Sequence, residues 1–426
     1  MFSSLASAVS GMNASSVAMS VVGDNIANVN TPAFKSNASS FANVMYQSLE
    51  GGVGGEVGSG VSFEGTVPFW SQGAFESTSN PTDLAINGSG FFQLRHTDGT
   101  VAYSRAGGFT FDVNGNLVNS QGMFVQGYEI DRATGALQNI VDINAPGLTI
   151  LQPNATTSLS MDINLDAAAA TGDQFSTSIS VYDSLGNALP LELTFTKQAA
   201  AGTWAAAASV SAAYAGTAST FAIGPLPPPA LAPGATQTFV FNSAGAMTTP
   251  AYDAANPVTI ELSLDNGATS PQNITWDLYD SGGTTLGDIT GYSSESTKTF
   301  HTQDGYPTGI LRKATVDEDG FVYGVYSNGQ VEAFYRVVLA DFPNYYGLSN
   351  VGNNNYLETL QSGQPLLGPP KTGKLGSINS SSLEMSNVDL ATEFVKMITY
   401  QRSFQANTRV ITTSDEMLTE LINLKR

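Results

Sequence analysis

Apolar residues recur at alternating intervals of three and four at both ends of this 426-residue chain, and no other sequence feature constrains its fold as strongly. Near the start, Phe2, Leu5, Val9, Met12, Met19 and Ile26 keep to that spacing, interrupted by Ser16 and Gly23. Near the end, Leu390, Met397, Phe404, Ile411 and Leu418 recur every seven residues, and Phe394 and Ile422 join the same stripe. Such spacing places side chains on one face of a helix, and a heptad seam requires a partner helix to cover it. Ser386 and Asp389 form an S-x-x-D start signal before the second run, and Lys425 and Arg426 follow where a helix dipole favours cations. The predicted C-terminal helix runs from about 387 to 424, roughly 55 Å at 1.5 Å per residue. Neither helix is expected to be stable alone, because most helical stability comes from burying an apolar face. The two termini are therefore expected to pair as a coiled coil, with each other and with further copies of the chain.

Between the helices the texture is β. Asp98-Gly99, Asn114-Gly115 and Ser327-Asn328-Gly329 separate short apolar runs such as Phe91 to Leu94 and Phe321 to Tyr326. Asn-Gly and Asp-Gly supply the positive φ angles that hairpins need. Residues 151–291 differ, with Ala-rich tracts and a proline cluster from Pro225 to Pro233. The expected fold is mostly β with terminal α-helices, in nested domains. Residues 1–30 plus 386–426 form the helical domain and 31–79 plus 361–385 the connecting and hinge segments. Residues 80–150 plus 292–360 form a β-rich middle domain, into which 151–291 is inserted. Gly51, Gly52, Gly54 and Gly55 mark a hinge candidate, since glycine has wide backbone freedom.

Charge and residue usage exclude much chemistry. The chain carries 36 acidic and 16 basic residues, a net charge of −20, with no basic run. Nucleic acid, which is bound through clustered Lys and Arg, is a poor partner. No cysteine is present, which removes disulfides, thiolate metal sites and thiol nucleophiles, and only His96 and His301 could serve as imidazoles. The first ten residues lack a basic region, so no cleaved secretory signal is expected. Nor is a stretch near the ~20 apolar residues of a membrane span, so no membrane insertion is expected.

Candidate catalytic and metal motifs reduce to turns. Asp112 to Asn116 begins like a calcium loop but has glycine fourth rather than sixth, and Asp317 to Gly320 reads the same way. Gly88-Ser89-Gly90 lacks the third glycine of a dinucleotide fingerprint, and no G-x-S-x-G elbow exists. A polysaccharide-cleaving enzyme would need a carboxylate pair in an aromatic cleft, and Trp70, Trp204 and Trp276 are scattered along the chain. No catalytic residue, metal ligand or cofactor is assigned.

Five blocks, in order, carry a resemblance. Asn25-Ile-Ala27-Asn28-Val-Asn30-Thr31 followed by Phe34 and Lys35 is similar to the signature of the flagellar rod and hook protein family. The stretches Asp83 to Phe92, Tyr103 to Phe109 and Asn116 to Gly122 follow in that family's order. Ser386, Asn387 and Val388, then Gln401 and Arg402, resemble its C-terminal block. Pro32-Ala33 departs from a pattern that more often has glycine second, so the turn after the first helix is expected to differ locally. The large insertion fits the hook members better than the rod members. The resemblance implies a structural subunit that self-assembles into a hollow, bendable helical tube transmitting torque from rod to filament. It further implies export through the flagellar type III apparatus to the hook outside the cell, and contact with rod proteins, the hook cap and hook–filament junction proteins. Competing readings are a distal-rod-type protein and, from another class, a β-rich surface adhesin, which leaves the two terminal seams unexplained.

Overall fold

The computed structural model describes residues 2–44, 47–48, 56–57, 60–131, 134–145, 150–215, 220–225, 234–253, 256–279 and 287–423. Among these the chain is mostly strand, with one long helix at each end, Phe2–Ala27 and Leu390–Asn423. It forms two compact units: Met1–Leu148 with Lys313–Val325 and Val331–Arg426, and Thr149–Arg312 with Tyr326–Gln330.

In the first unit an antiparallel sheet runs in the order Phe321–Tyr326, Val331–Val337, Phe124–Ile130, Phe91–Arg95, Val101–Ser104, Asn355–Leu357 and Ser349–Gly352. The two-residue period of a strand sends Phe91 and Phe92 to opposite faces. Both are fully buried: Phe92 packs with Leu84, Leu94 and Phe109, whereas Phe91 packs with Tyr103, Phe342 and Tyr356. The sheet is thus covered on both sides at its centre. Residues 361–385 are not a free connector. Leu366–Gly368 pairs with Leu339–Asp341, Ser377–Ser380 with Leu84–Asn87, and Ser382–Glu384 with Phe75–Ser77.

The second unit contains two sheets that share one core. Leu189, Leu191, Leu193 and Phe195 alternate inward along Ala188–Lys197 and are fully buried. They meet Trp204, Phe239 and Trp276, with the last two rings 5.5 Å apart. Two of the three tryptophans, Trp204 and Trp276, are therefore core residues. This unit extends to Arg312 rather than ending at 291. The reason is the strand Thr297–Gln303, which pairs antiparallel with Ser158–Asn164 from Leu159↔Gln303 to Asn164↔Thr297.

The N-terminal helix corrects one expectation. Ser4–Ala27, 24 residues, is long and apolar enough to cross a membrane by length and composition alone. Its apolarity is spread over Ala, Val and Met with no charge before Asp24, which a count of large residues underrates. In the structure this helix packs against the C-terminal helix and against the hairpin of Asn37–Asn43 and Val61–Pro68.

Candidate assembly surface

The terminal helices lie side by side and antiparallel, with Gly11 against Asn407, Met12 beside Thr408 (3.9 Å from sulfur to hydroxyl) and Asn25 against Glu393. Their approach is close. A Cβ on Gly11 would stand 2.7 Å from Nδ2 of Asn407, inside normal contact distance. On the C-terminal helix, from Met397 to Leu418, the half-buried or buried residues are Met397, Tyr400, Phe404, Asn407, Ile411, Ser414 and Leu418. They keep the three-four spacing, so one heptad stripe meets the partner. Leu390 keeps the seven-residue spacing but, at the first residue of the helix, is 41% exposed.

On the N-terminal helix the buried positions are small or polar: Ala8, Ser15, Ala18, Val22 and Asn25. Leu5, Met12, Met19 and Ile26 are only half-buried beside them, and Val9, read from the sequence as a seam residue, is 40% exposed. Two neighbours, a helix and a hairpin, crowd this helix, and small side chains are what lets both come near. Sequence spacing located the helix; the preference for large residues misplaced the contact.

The helix start differs from the S-x-x-D reading. Asp389 is the cap: its Oδ1 accepts from the N–H groups of Ala391 (2.8 Å) and Thr392 (3.3 Å). These amides hold its carboxyl below the usual carboxylate range. Ser386 instead accepts from the N–H of Val388 at 3.3 Å, one turn earlier. Lys425 and Arg426 lie outside the described residues, as do Gly51, Gly52, Gly54 and Gly55.

The residues flanking the two helices form a dense polar knot. Asn25 is fully buried; its Nδ2 donates to the carbonyl of Asn37 (2.8 Å) and to Glu393 (3.1 Å), and its Oδ1 accepts from the Asn37 N–H (2.9 Å). Asn28 bonds Asp24 and receives the Thr31 hydroxyl at 3.0 Å, closing the turn, while Ala27 and Asn30 face outward. Ala33 adopts φ +60°, the conformation that glycine takes most easily, and its N–H donates to the Glu384 carbonyl at 2.7 Å. Phe34, half-buried, offers its carbonyl to the Asn387 N–H at 3.4 Å. Asn387 also accepts from the Ser36 N–H (2.8 Å) and donates to the carbonyls of Phe69 (2.9 Å) and Ser71 (3.1 Å). Gln401 and Arg402 lie exposed on the C-terminal helix.

Beneath this knot sit three buried charges that the sequence did not single out. Lys35 Nζ lies 2.6 Å from Oε1 of Glu384, and Arg105 Nε lies 3.1 Å from Oε2 of the same carboxylate. Exposure is 2% at Lys35, 4% at Arg105 and 1% at Glu384, which rules out solvent as a partner. Burial holds the Lys35 ammonium below the ordinary lysine value despite Glu384, and the Arg105 charge pushes the same way.

Large apolar side chains remain uncovered on the outer side of the C-terminal helix. Phe394 and Ile398 are 50% exposed and Val395 64%, and Met417, also 50%, continues the outward apolar set farther along. The motifs considered for chemistry are turns: Asp112 Oδ1 accepts from the N–H groups of Asn114 and Asn116, both at 2.8 Å, and Asp317 does the same for Asp319 and Phe321.

Four family matches fall along the chain in order and place it in the class of flagellar rod and hook proteins. Residues 5–35 match "Flagella basal body rod protein" and 85–171 match "Flagellar hook protein FlgE/F/G D1 domain". Residues 154–306 match "Flagellar basal body protein FlaE D2 domain", and 379–424 match "Flagellar basal body rod FlgEFG protein C-terminal". The chain is 34% identical to the flagellar hook protein FlgE of Escherichia coli, covering 98% of this chain and 99% of that one. It is 35% identical to the hook protein of Rhizobium meliloti, with both chains covered completely. It also resembles the crystal structure of the Helicobacter pylori hook protein FlgE2, with a TM-score of 0.48, 16% identity and coverage of 73% of this chain and 100% of that one. The chain belongs to the flagellar hook protein family and is a structural hook subunit.

Proposed function

We propose that this subunit polymerises through its terminal helices into the bendable tube of the hook, joining rod to filament, and that assembly is its whole activity. The observation that carries the reading is the outer face of the C-terminal helix, where Phe394, Val395 and Ile398 are half or more exposed although the helix already has an intramolecular partner. Fully burying an exposed side chain of this size contributes roughly 1.5–3 kcal/mol, and with half or more of each surface still uncovered at least about half of that remains to be gained. Helical growth needs a contact that does not close into a ring, and a second copy can supply it. Rod proteins, the hook cap, junction proteins and the export apparatus are the partners that membership of the family suggests, with the assembled hook outside the cell.

The test is negative-stain microscopy of purified protein under polymerising conditions. The parent chain is expected to form tubes. The variant Phe394→Asp with Ile398→Asp is expected to stay monomeric with unchanged circular dichroism. Tubes of normal length from that variant would remove the basis of the reading.

A further inference from the structure

We propose that Lys35, Arg105 and Glu384 are positioning residues for the terminal helices: a buried ionic clamp that closes only when both ends of the chain are in place.

Lys35 follows the N-terminal helix and Glu384 precedes the C-terminal one, separated by 349 positions. Arg105 belongs to neither passage; it follows the strand Val101–Ser104 of the β-sheet. One carboxylate thus serves two cations from separate segments. Its Oε1 also accepts from the Gly73 N–H at 3.0 Å, and its backbone carbonyl from the Ala33 N–H at 2.7 Å. The cluster carries one excess positive charge, offset by carbonyls: Ser71 accepts from Lys35 at 2.8 Å, and Ile86 and Gly88 accept from Arg105 at 3.2 and 2.5 Å.

Consider the same site without Glu384. Two cations would face each other out of water with only carbonyl dipoles for company, a strongly destabilising state that Lys35 could relieve only by giving up its proton. The segment around Lys35 therefore cannot seat on the sheet until the strand Ser382–Glu384 has paired with Phe75–Ser77. Asn25 and Asn387 sit directly on this seat through Asn37 and Ser36, so the root of each helix inherits its placement. The clamp makes the seating of the first helix conditional on arrival of the last segment of the chain. A chain lacking its C-terminal part would keep its assembly helix unseated.

Amide hydrogen exchange on the full-length chain tests this. In Glu384→Gln, exchange within 5–27 and 390–420 is expected to accelerate on the order of a hundredfold, the effect of stranding buried charge, while 91–95 and 124–130 exchange as in the parent. Lys35→Met, which leaves Arg105 paired, should show a smaller rise confined to the same helices. The exchanged pair Lys35→Glu with Glu384→Lys should protect the helices better than either single reversal. Equal acceleration of helices and strands would reduce Glu384 to a general stabiliser and overturn the proposal. Unchanged helices in Glu384→Gln, or an exchanged pair no better than the single reversals, would do the same. Should Glu384→Gln fail to fold, Lys35→Met and the exchanged pair decide. Tube formation is scored separately, so a parent chain that clamps but never polymerises counts only against the proposed function.

Discussion

Asn25 and Glu393, 368 positions apart, meet at 3.1 Å in a site closed to solvent, so the end of the first helix is bonded to the start of the last. Glu393 is held from its other side by Lys396 at 2.6 Å. Replacing Asn25 with Ala strands the N–H and carbonyl of Asn37 and one oxygen of Glu393. Leaving a buried polar group unsatisfied costs about 1–3 kcal/mol. Asn25→Ala is expected to destabilise the first unit by an amount in that range in urea unfolding followed by helical circular dichroism. A loss under a few tenths would mean that water replaces the lost bonds.

The helices and the β-middle were legible because their signals are local: seven-residue recurrence from Met397 to Leu418, and turn pairs such as Asn114-Gly115. What was not legible depends on residues far apart in sequence. Lys35, Arg105 and Glu384 have no local signature, since a buried charge looks like any surface charge until its partner is known. Ala18 and Val22 escaped because apolar periodicity is read from large residues, whereas a helix squeezed by two neighbours uses small ones. The strand Thr297–Gln303 carries Thr, Lys, His and Gln, a mostly exposed pattern that gives no hint of which unit it completes.

Alkaline titration should reveal a group of reluctant tyrosines, Tyr103, Tyr345 and Tyr356 foremost. Tyr356 is pushed up to about 12 by burial; Tyr345 reaches about 12 through burial first, then through its bond to Asp341 and that carboxylate's charge. Their folded values exceed the unfolded one, so the stabilisation is fully present below pH ~10 and is lost as pH rises toward 12. Ultraviolet difference spectra should show these groups ionising together with loss of near-ultraviolet circular dichroism. Complete ionisation of all tyrosines near pH 10 in the folded chain would contradict the assignment.

Asp389→Ala removes the acceptor for the Ala391 and Thr392 amides at the start of the last helix. The first turn is expected to fray, with faster amide exchange at 391–393 and little change beyond 400. Because the folded-state carboxyl is held below its ordinary value, the same fraying should appear in the parent chain as pH falls through that lowered value. Acid-insensitive exchange at 391–393 would show that another group caps the helix.

Gly11 offers a pair of substitutions with different expected outcomes. Its missing Cβ is what lets Asn407 approach, yet the atom that a Cβ would meet first, at 2.7 Å, is the tip of a movable amide. Gly11→Ala should therefore displace only that tip while gaining up to about 1 kcal/mol of helix propensity. The net change in thermal unfolding is expected to be small or stabilising. Gly11→Leu adds a branched side chain where the two helices touch, and overpacking of this kind costs about 1–3 kcal/mol. It should accelerate exchange in both terminal helices and leave the sheet at 91–95 unchanged. If Leu at this position is tolerated as well as Ala, the helices are not held at close range by Gly11, and the small-residue account of their pairing fails.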